Sequence, residues 1–388
     1  MEPKIKVGVI GAGTMGAGIA QVAAQAGHAV LLFDARPEAA GAAVKNLSAT
    51  MDKLVAKGKL DRAQADGTLQ RISPCAALAA MKDCGLVIEA IVEDLEVKKR
   101  VFAELDHCLA ADAILASNTS SLAITAIAAA CSKPERVIGL HFFNPAPLMP
   151  LVEVVPGMMT ANGPAAQCSL LMQAWDKVPV TCKDTPGFIV NRVARPYYGE
   201  SIRIFEEGIA GMAQIDHALK TAGGFRMGPF ELMDLIGNDV NFAVTSSVWR
   251  AFFHDPRYTP SLTQQRQVES GHLGRKTGRG YYDYGTASTP QPVEVEEQLA
   301  MCIVERVLAM LINEAVDALF LRVASAADMD LAMTKGVNYP KGLLAWADER
   351  GAAHWLGVLE NLQAEYGEDR YRPYPLLRRM ARTGGRFR

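Results

Sequence analysis

The opening thirty residues restrict the fold more than any other stretch. "KIKVGVIGAGTMGAGIAQVAAQAGHAVLLFD" runs from a short apolar strand through a glycine turn into an alanine-rich helical pattern and out along a second strand, which is one βαβ unit. Gly11, Gly13 and Gly16 supply G-x-G-x-x-G, with Thr14 and Met15 inside the turn where the helix begins. That spacing lets the backbone turn tightly and bring N–H groups at a helix N-terminus up to a pyrophosphate. Asp34 ends the second strand, where a carboxylate accepts hydrogen bonds from ribose hydroxyls and repels a 2′-phosphate. Together these features predict a dinucleotide site that favours NAD over NADP. Arg36 pulls the other way, since an arginine just past the acid can pair with a phosphate.

Strand-like runs continue at "GLVIEAI" (85 to 91), "AILASN" (113 to 118) and "RVIGLHFF" (136 to 143), separated by helical patterns. This alternation predicts an α/β fold, a parallel, Rossmann-like doubly wound sheet reaching about residue 182. Ligands in such sheets sit at the carboxyl ends of the strands, so polar residues there are candidates. Glu89 and Glu93 follow one strand, Ser117, Asn118, Thr119 and Ser120 the next, and His141 with Asn144 the one after. "HFFNPAPLMPLVEV" (141 to 154) then sets Glu153 on the following apolar run. Taken alone, His141 reads either as a core histidine or as one half of a reacting pair.

From "DTPGFIVNRVARPYYGESIRIFEEG" onward helical periods dominate, and the sequence repeats itself. A shift of 114 aligns Arg192 with Arg306, Glu200 with Glu314, Asp216 with Asp330, Gly228 with Gly342, Asp234 with Asp348 and Gly237 with Gly351. The expected organisation is a dinucleotide domain over 1–184, a first helical domain over 185–285, a linker over 286–296 and a second, degenerate helical copy over 297–388. Asn191 becomes Glu305 in the second copy, so only the first need touch chemistry. "HLGRKTGRGYYDY" (272 to 284) is not a P-loop, because Arg275 stands where a glycine is required; a turn closing the first module is expected.

Composition excludes several classes. With 49% hydrophobic and 21% charged residues and a net charge of −2, nothing suggests a nucleic-acid partner. No apolar run reaches the roughly 18 residues of a membrane span, so a cytoplasmic protein without membrane partner is expected. The seven cysteines form no C-x-x-C pair and no metal-ligand spacing; they are expected to be reduced, buried small residues, and no metal is expected.

Over essentially its whole length the chain resembles the 3-hydroxyacyl-CoA dehydrogenase family, in "GAGTMGAGIA", "VIEAIVEDLEVKK", "SNTSSL", "GLHFFNPAPLMPLVEVV", "DTPGFIVNR", "GPFELMDLIGNDV" and "KTGRGYYDY". "NRVARPYYGES" and the paired helical modules look most like the group that acts on 3-hydroxyadipyl-CoA in bacterial phenylacetate degradation, although this chain's linker is shorter. The resemblance implies a Rossmann-like domain followed by two tandem all-helical C-terminal modules. It also implies NAD-dependent oxidation of an (S)-3-hydroxyacyl-CoA to the 3-oxoacyl-CoA, as in β-oxidation.

By the same resemblance His141 is the general base, Glu153 its carboxylate partner, and Ser120 and Asn191 hydrogen-bonding groups for the reacting oxygen and the histidine. The alternative for Ser120 is a helix N-cap after "SNT", and the two roles are compatible. Asn144 matches a residue that positions the catalytic loop, or is a turn residue before Pro145. Glu93 and Lys98 match positions near the nicotinamide ribose, and Asn118 joins the cofactor set. Lys53 and Lys57, four apart on a helical face, either meet CoA phosphates or form a solvated face. Arg195 and Arg226 stand where many relatives carry apolar residues or proline; one of them is expected to meet a distal carboxylate, or both have surface or interface roles. Three other readings stay open: a short-chain 3-hydroxybutyryl-CoA dehydrogenase, a non-catalytic NAD(H)-binding protein, and a β-hydroxyacid dehydrogenase acting on free acids. The last typically needs a lysine that "GFIVNR" lacks. The repeat allows either a monomer with an internal pseudo-dimer of helical modules or a homodimer.

Overall fold

The computed structural model describes residues 4–285 and 293–388. The chain divides into two compact units, Met1–Phe188 and Ile189–Arg388. Of the expected linker, residues 286–292 lie outside the described residues.

The first unit carries β1 (Val7–Ile10), α1 (Thr14–Gln25), β2 (Val30–Phe33), α2 (Ala39–Ala56), α3 (Arg62–Gln70), β3 (Ile72–Pro74), β4 (Leu86–Glu89), α4 (Leu95–Cys108), β5 (Ile114–Ser117), α5 (Ile124–Ala128), β6 (Val137–Phe142), β7 (Leu151–Pro156), α6 (Asn162–Ala174) and β8 (Val178–Thr181). The sheet order is β3-β2-β1-β4-β5-β6-β7-β8. β1, β4, β5 and β6 are buried at every position. That is the pattern of parallel strands covered by helices on both faces, and it explains their unbroken apolar character. Between β1 and β4 the chain order reverses, which opens a crevice at the strands' carboxyl ends.

The sheet departs from the expected parallel order at one place: β7 runs antiparallel to β6, with His141 directly opposite Glu153. The connection, residues 143–150, contains no helix, and a parallel return would have needed a crossover of a dozen or more residues.

The second unit is all helical: α7 (Val190–Val193), α8 (Arg195–Glu206), α9 (Met212–Thr221), α10 (Pro229–Ile236), α11 (Asn238–Ala251), α12 (Leu262–Glu269), α13 (Glu297–Phe320), α14 (Ala326–Gly336), α15 (Leu343–Arg350), α16 (Ala352–Tyr366) and α17 (Pro375–Thr383). The sequence repeat recurs as repeated contacts. Asp216 accepts from the N–H groups of Phe230 and Glu231, and Asp330 from those of Leu344 and Ala345. A side chain on Gly228 or Gly342 would strike the corresponding aspartate, which explains glycine at both. Asp234 accepts from the N–H groups of Tyr281 and Tyr282, so "GRGYYDY" is the turn that closes the first module. Asp348 accepts from those of Phe387 and Arg388, which makes the terminal "GGRFR" its shortened counterpart.

The two copies also grip each other reciprocally. Arg192 pairs with Glu314 at 2.6 Å and Arg306 with Glu200 at 2.6 Å. Tyr258 donates to Glu314 and Tyr371 to Glu200. Residue i meeting j while the counterpart of j meets that of i is the signature of a two-fold interface, here inside one chain. The copies differ at α7 and α8, a broken pair where α13 is continuous. Pro196 lies in the first turn of α8 and cannot donate the backbone bond that would join the two segments.

None of the seven cysteines forms a disulfide. Four are buried and Cys75 and Cys108 are half-buried, but Cys302 is exposed, against the expectation that all are interior residues. It lies in the first turns of α13, exposed between the buried Ala300 and Ile303.

Candidate functional site

Three glycines after β1 build the floor of the crevice, for three different reasons. Gly11 has φ +98° and lies so close to β4 that a Cβ would come within 2.4 Å of the Ala90 carbonyl. At Gly16 a Cβ would sit 1.7 Å from the Gly11 carbonyl oxygen, so only glycine lets α1 start this near the strand. Around Gly13 nothing lies within 4 Å of the added atom; the open space is where a pyrophosphate could approach the backbone. Thr14 and Met15 form the first turn of α1, which holds no acidic side chain to compete with an anion.

Asp34 follows β2 and accepts from the Ala12 N–H at 2.8 Å, tying the glycine turn to the neighbouring strand. Arg36 forks onto both of its oxygens at 3.0 and 3.1 Å. The hydrogen bond from Arg36, helped by the backbone N–H groups and opposed by burial, pulls the Asp34 carboxyl down to about 2. An ionised carboxylate at this point fits ribose hydroxyls. Thus the residues present fit an NAD molecule: open backbone at Gly13, a free helix N-terminus and an acid at the end of β2.

At the carboxyl ends of β4 and β5 a buried network takes shape. Glu89 is wholly buried and accepts from Lys98 Nζ at 2.6 Å and from Ser117 Oγ at 2.7 Å. Lys98 also lies 3.3 Å from Glu93. Glu93 in turn accepts from the Thr119 hydroxyl, from the N–H groups of Ser120 and Ser121, and from both serine hydroxyls. Burial alone would push Glu93 up, but Lys98 and these donors bring it below the usual carboxylate range. Lys98 is therefore an interior cation, and Glu93 shapes the turn carrying Ser120. Ser120 does not cap a helix: α5 begins at Ile124, and Asp184 accepts from the N–H groups of Ile124 and Thr125. Glu89 as the partner of Lys98 was missed in the sequence, though an acid ending an apolar strand was a visible signal.

The His141–Glu153 pair lies one strand further. His141 Nδ1 is 2.7 Å from Glu153 Oε2, with His141 6% exposed and Glu153 wholly buried. Directly opposed residues of an antiparallel pair project to the same face at close range, so the register alone brings the two side chains together. A carboxylate only accepts, so a neutral His141 ring bonded this way carries its proton on Nδ1 and its lone pair on Nε2. Phe143 and Phe188 flank the ring, with centroids at 4.6 and 5.9 Å. Asn118 accepts from the Phe142 N–H at 2.8 Å and so anchors the strand end beside His141. Lys177 was not singled out in the sequence. It is buried and donates to the carbonyls of Ala146 and Met149, holding the connection between β6 and β7. Asn144 in that connection is exposed.

Other candidates are spread more widely. Lys53 in α2 and Lys57 just beyond it are exposed. In the second unit Asn191 is half-buried in α7, Arg195 is buried at the start of α8, and Arg226 is exposed. Among the described residues no group of three or more histidine, cysteine, aspartate or glutamate side chains could hold a metal, and no helix is long and apolar enough to cross a membrane.

The family model for the 3-hydroxyacyl-CoA dehydrogenase NAD binding domain matches residues 6–185, and that for the C-terminal domain of the same family matches 187–284 and 302–386. The chain is 43% identical over 460 aligned positions to a 3-hydroxyadipyl-CoA dehydrogenase of Escherichia coli (strain K12), covering 97% of each protein. It is 42% identical to human mitochondrial hydroxyacyl-coenzyme A dehydrogenase over 284 residues, 72% of this chain and 90% of that one. Among solved structures, a 3-hydroxybutyryl-CoA dehydrogenase from Escherichia coli K12 substr. MG1655 superposes with a TM-score of 0.93 at 42% identity, covering 98% of this chain and 99% of that one.

Proposed function

This chain belongs to the 3-hydroxyacyl-CoA dehydrogenase family, whose members are NAD-dependent oxidoreductases, and from that premise we propose that it oxidises an (S)-3-hydroxyacyl-CoA through the His141–Glu153 pair. The observation that carries this reading is the 2.7 Å bond between two buried side chains at the carboxyl end of β6. Nε2 of His141 takes the proton of the 3-hydroxyl as the C3–H bond breaks, and Glu153 stabilises the imidazolium that forms. Bound NAD supplies the acceptor for the departing hydride. Ser120 and Asn191 are offered as hydrogen-bonding groups for the reacting oxygen, where donors stabilise its developing charge. Gly11, Gly13, Thr14, Met15, Gly16 and Asp34 are assigned to the dinucleotide, with Glu93, Lys98, Asn118 and Asn144 around its nicotinamide end. Lys53 and Lys57 are offered to the phosphates of CoA.

The test is NADH oxidation by purified protein with acetoacetyl-CoA, followed by absorbance. Steady turnover is expected. NADH binding without turnover of this or a longer 3-oxoacyl-CoA would sink the proposal.

Coenzyme choice has its own test. Asp34→Ala is expected to lower kcat/KM for NAD about 10–100-fold, the loss of hydrogen bonds to a charged group. Use of NADP is expected to improve, because the repelling carboxylate is gone and Arg36 is freed from it. Unchanged NAD kinetics in that variant would remove Asp34 from the ribose site.

We further place the enzyme in the cytoplasm, a reading that seven cysteines without a disulfide and a balanced charge support. We also propose that the second helical copy stands in for a dimer partner, so that one chain suffices. The reciprocal Arg192–Glu314 and Arg306–Glu200 pairs support this.

A further inference from the structure

Arg195 is buried, 6% exposed, yet among the described residues it forms no ion pair. The other buried arginines of its unit, Arg192, Arg306 and Arg370, all pair with carboxylates. Its Nε donates to the Asn191 carbonyl at 2.8 Å, one Nη donates to the Thr245 hydroxyl at 3.1 Å, and the guanidinium lies 4.9 Å over the Tyr198 ring. These contacts use two of the guanidinium's five N–H donors, and neither partner carries a charge. Burial accordingly holds Arg195 below the ordinary guanidinium range, with Tyr198 and Tyr339 close enough to act on it. Tyr339 is itself 5% exposed, and its buried hydroxyl has no hydrogen-bond partner.

The internal repeat supplies a control for whether folding requires this polarity. Under the 114-residue shift, Arg195, Tyr198 and Thr245 correspond to Ala309, Ile312 and Leu359, and Tyr339 corresponds to Phe225. All four counterparts are apolar and buried. The same packing positions are thus filled without a single polar atom, and a cation left unpaired in a protein interior is a cost that packing does not explain.

We propose that Arg195, oriented by Thr245 and assisted by the phenols of Tyr198 and Tyr339, is a subsite for a single carboxylate, selecting acyl-CoA chains that end in a second carboxyl group. A planar guanidinium fork matches a carboxylate bidentately and balances its one charge, whereas a phosphate would bring excess charge among aromatic rings. The inference rests on the dehydrogenase reading: Asn191, the group offered to the reacting oxygen, precedes Arg195 by about one helical turn, roughly 5–6 Å. A six-carbon dicarboxylic chain spans that reach, in keeping with the 3-hydroxyadipyl-CoA named for the 43% identical relative.

The test measures binding separately from turnover. Calorimetry with adipyl-CoA and hexanoyl-CoA, which share chain length and lack the reacting hydroxyl, reads the subsite whether or not the protein is a dehydrogenase. Wild type is expected to bind adipyl-CoA about 10–100-fold more tightly. Arg195→Met is expected to bring that ratio close to one and to raise the Tm, since an unpaired buried cation is removed. Tyr339→Phe, which retains the ring, is expected to reduce the ratio severalfold, and it keeps the test decisive if Arg195→Met misfolds. Equal binding of the two ligands by wild type, or a ratio unchanged in the folded variants, would overturn the subsite. Equal weakening of both ligands would instead assign Arg195 to the CoA phosphates. Failure of the parent reading looks different: selective binding persists, but the matching 3-hydroxyacyl-CoA esters are not turned over with NAD.

Discussion

His141→Ala is expected to lower kcat with acetoacetyl-CoA by about 10²–10⁴-fold, the usual worth of a positioned general acid or base, while NADH still binds. Glu153→Gln keeps the size and one acceptor but removes the charge that holds Nδ1–H and stabilises the imidazolium. A charge-assisted hydrogen bond contributes about 1.5–3 kcal/mol, so a loss of roughly 10–100-fold is expected. Both side chains are buried and bonded to each other, so the two changes should be strongly non-additive. The double variant is expected to be scarcely worse than His141→Ala. Steady-state kinetics on the four proteins, with NADH titrated by fluorescence, checks all of this. Nearly full activity in His141→Ala would return that histidine to the core.

The second large effect is expected on stability. Arg192 serves Glu314 and Asp317, with Arg257 as the other cation of the cluster. Burial and the neighbouring Glu314 push Asp317 up to about 6, whereas Glu314 is held below its usual range by the two arginines despite its own burial. Removing one guanidinium leaves buried acids with too little positive charge, a situation that typically costs about 3–5 kcal/mol. For a unit of this size Arg192→Met is expected to lower the Tm by on the order of 10 °C. Adding Glu314→Met should recover part of the loss, because the stranded charge goes too. Arg306→Met should behave alike by the internal two-fold. Calorimetric melting of these variants decides it; a shift under about 2 °C for Arg192→Met would mean the cluster is solvated and contributes as weakly as surface pairs do.

Much of the site was legible because it obeys local rules. The glycine turn, the acid closing β2 and the polar residues after each apolar strand follow from backbone sterics and from where a doubly wound sheet leaves room. The helical repeat was readable as identities at constant spacing, since each module needs the same aspartates to accept from its own backbone. What could not be read was partnership. Glu93 and Lys98 were legible as site candidates, but Glu89 and Ser117, which hold Lys98 in the interior, were not legible as their partners. A cap was the alternative reading of Ser120, yet α5 starts later and Asp184 meets its first N–H groups. Cys302 resembled the other cysteines in context and turned outward.

The sequence by itself determined the βαβ opening, the order of domains, the candidate set and the family, because these depend on residue type and spacing along the chain. Only the tertiary structure decided that β7 returns antiparallel and so sets Glu153 across from His141. It alone separated Arg195 from Arg226, equivalent as letters but one buried without a counter-ion and the other exposed. Register, burial and the identity of an ion's partner are properties of distant segments meeting in space, and no local spacing encodes them.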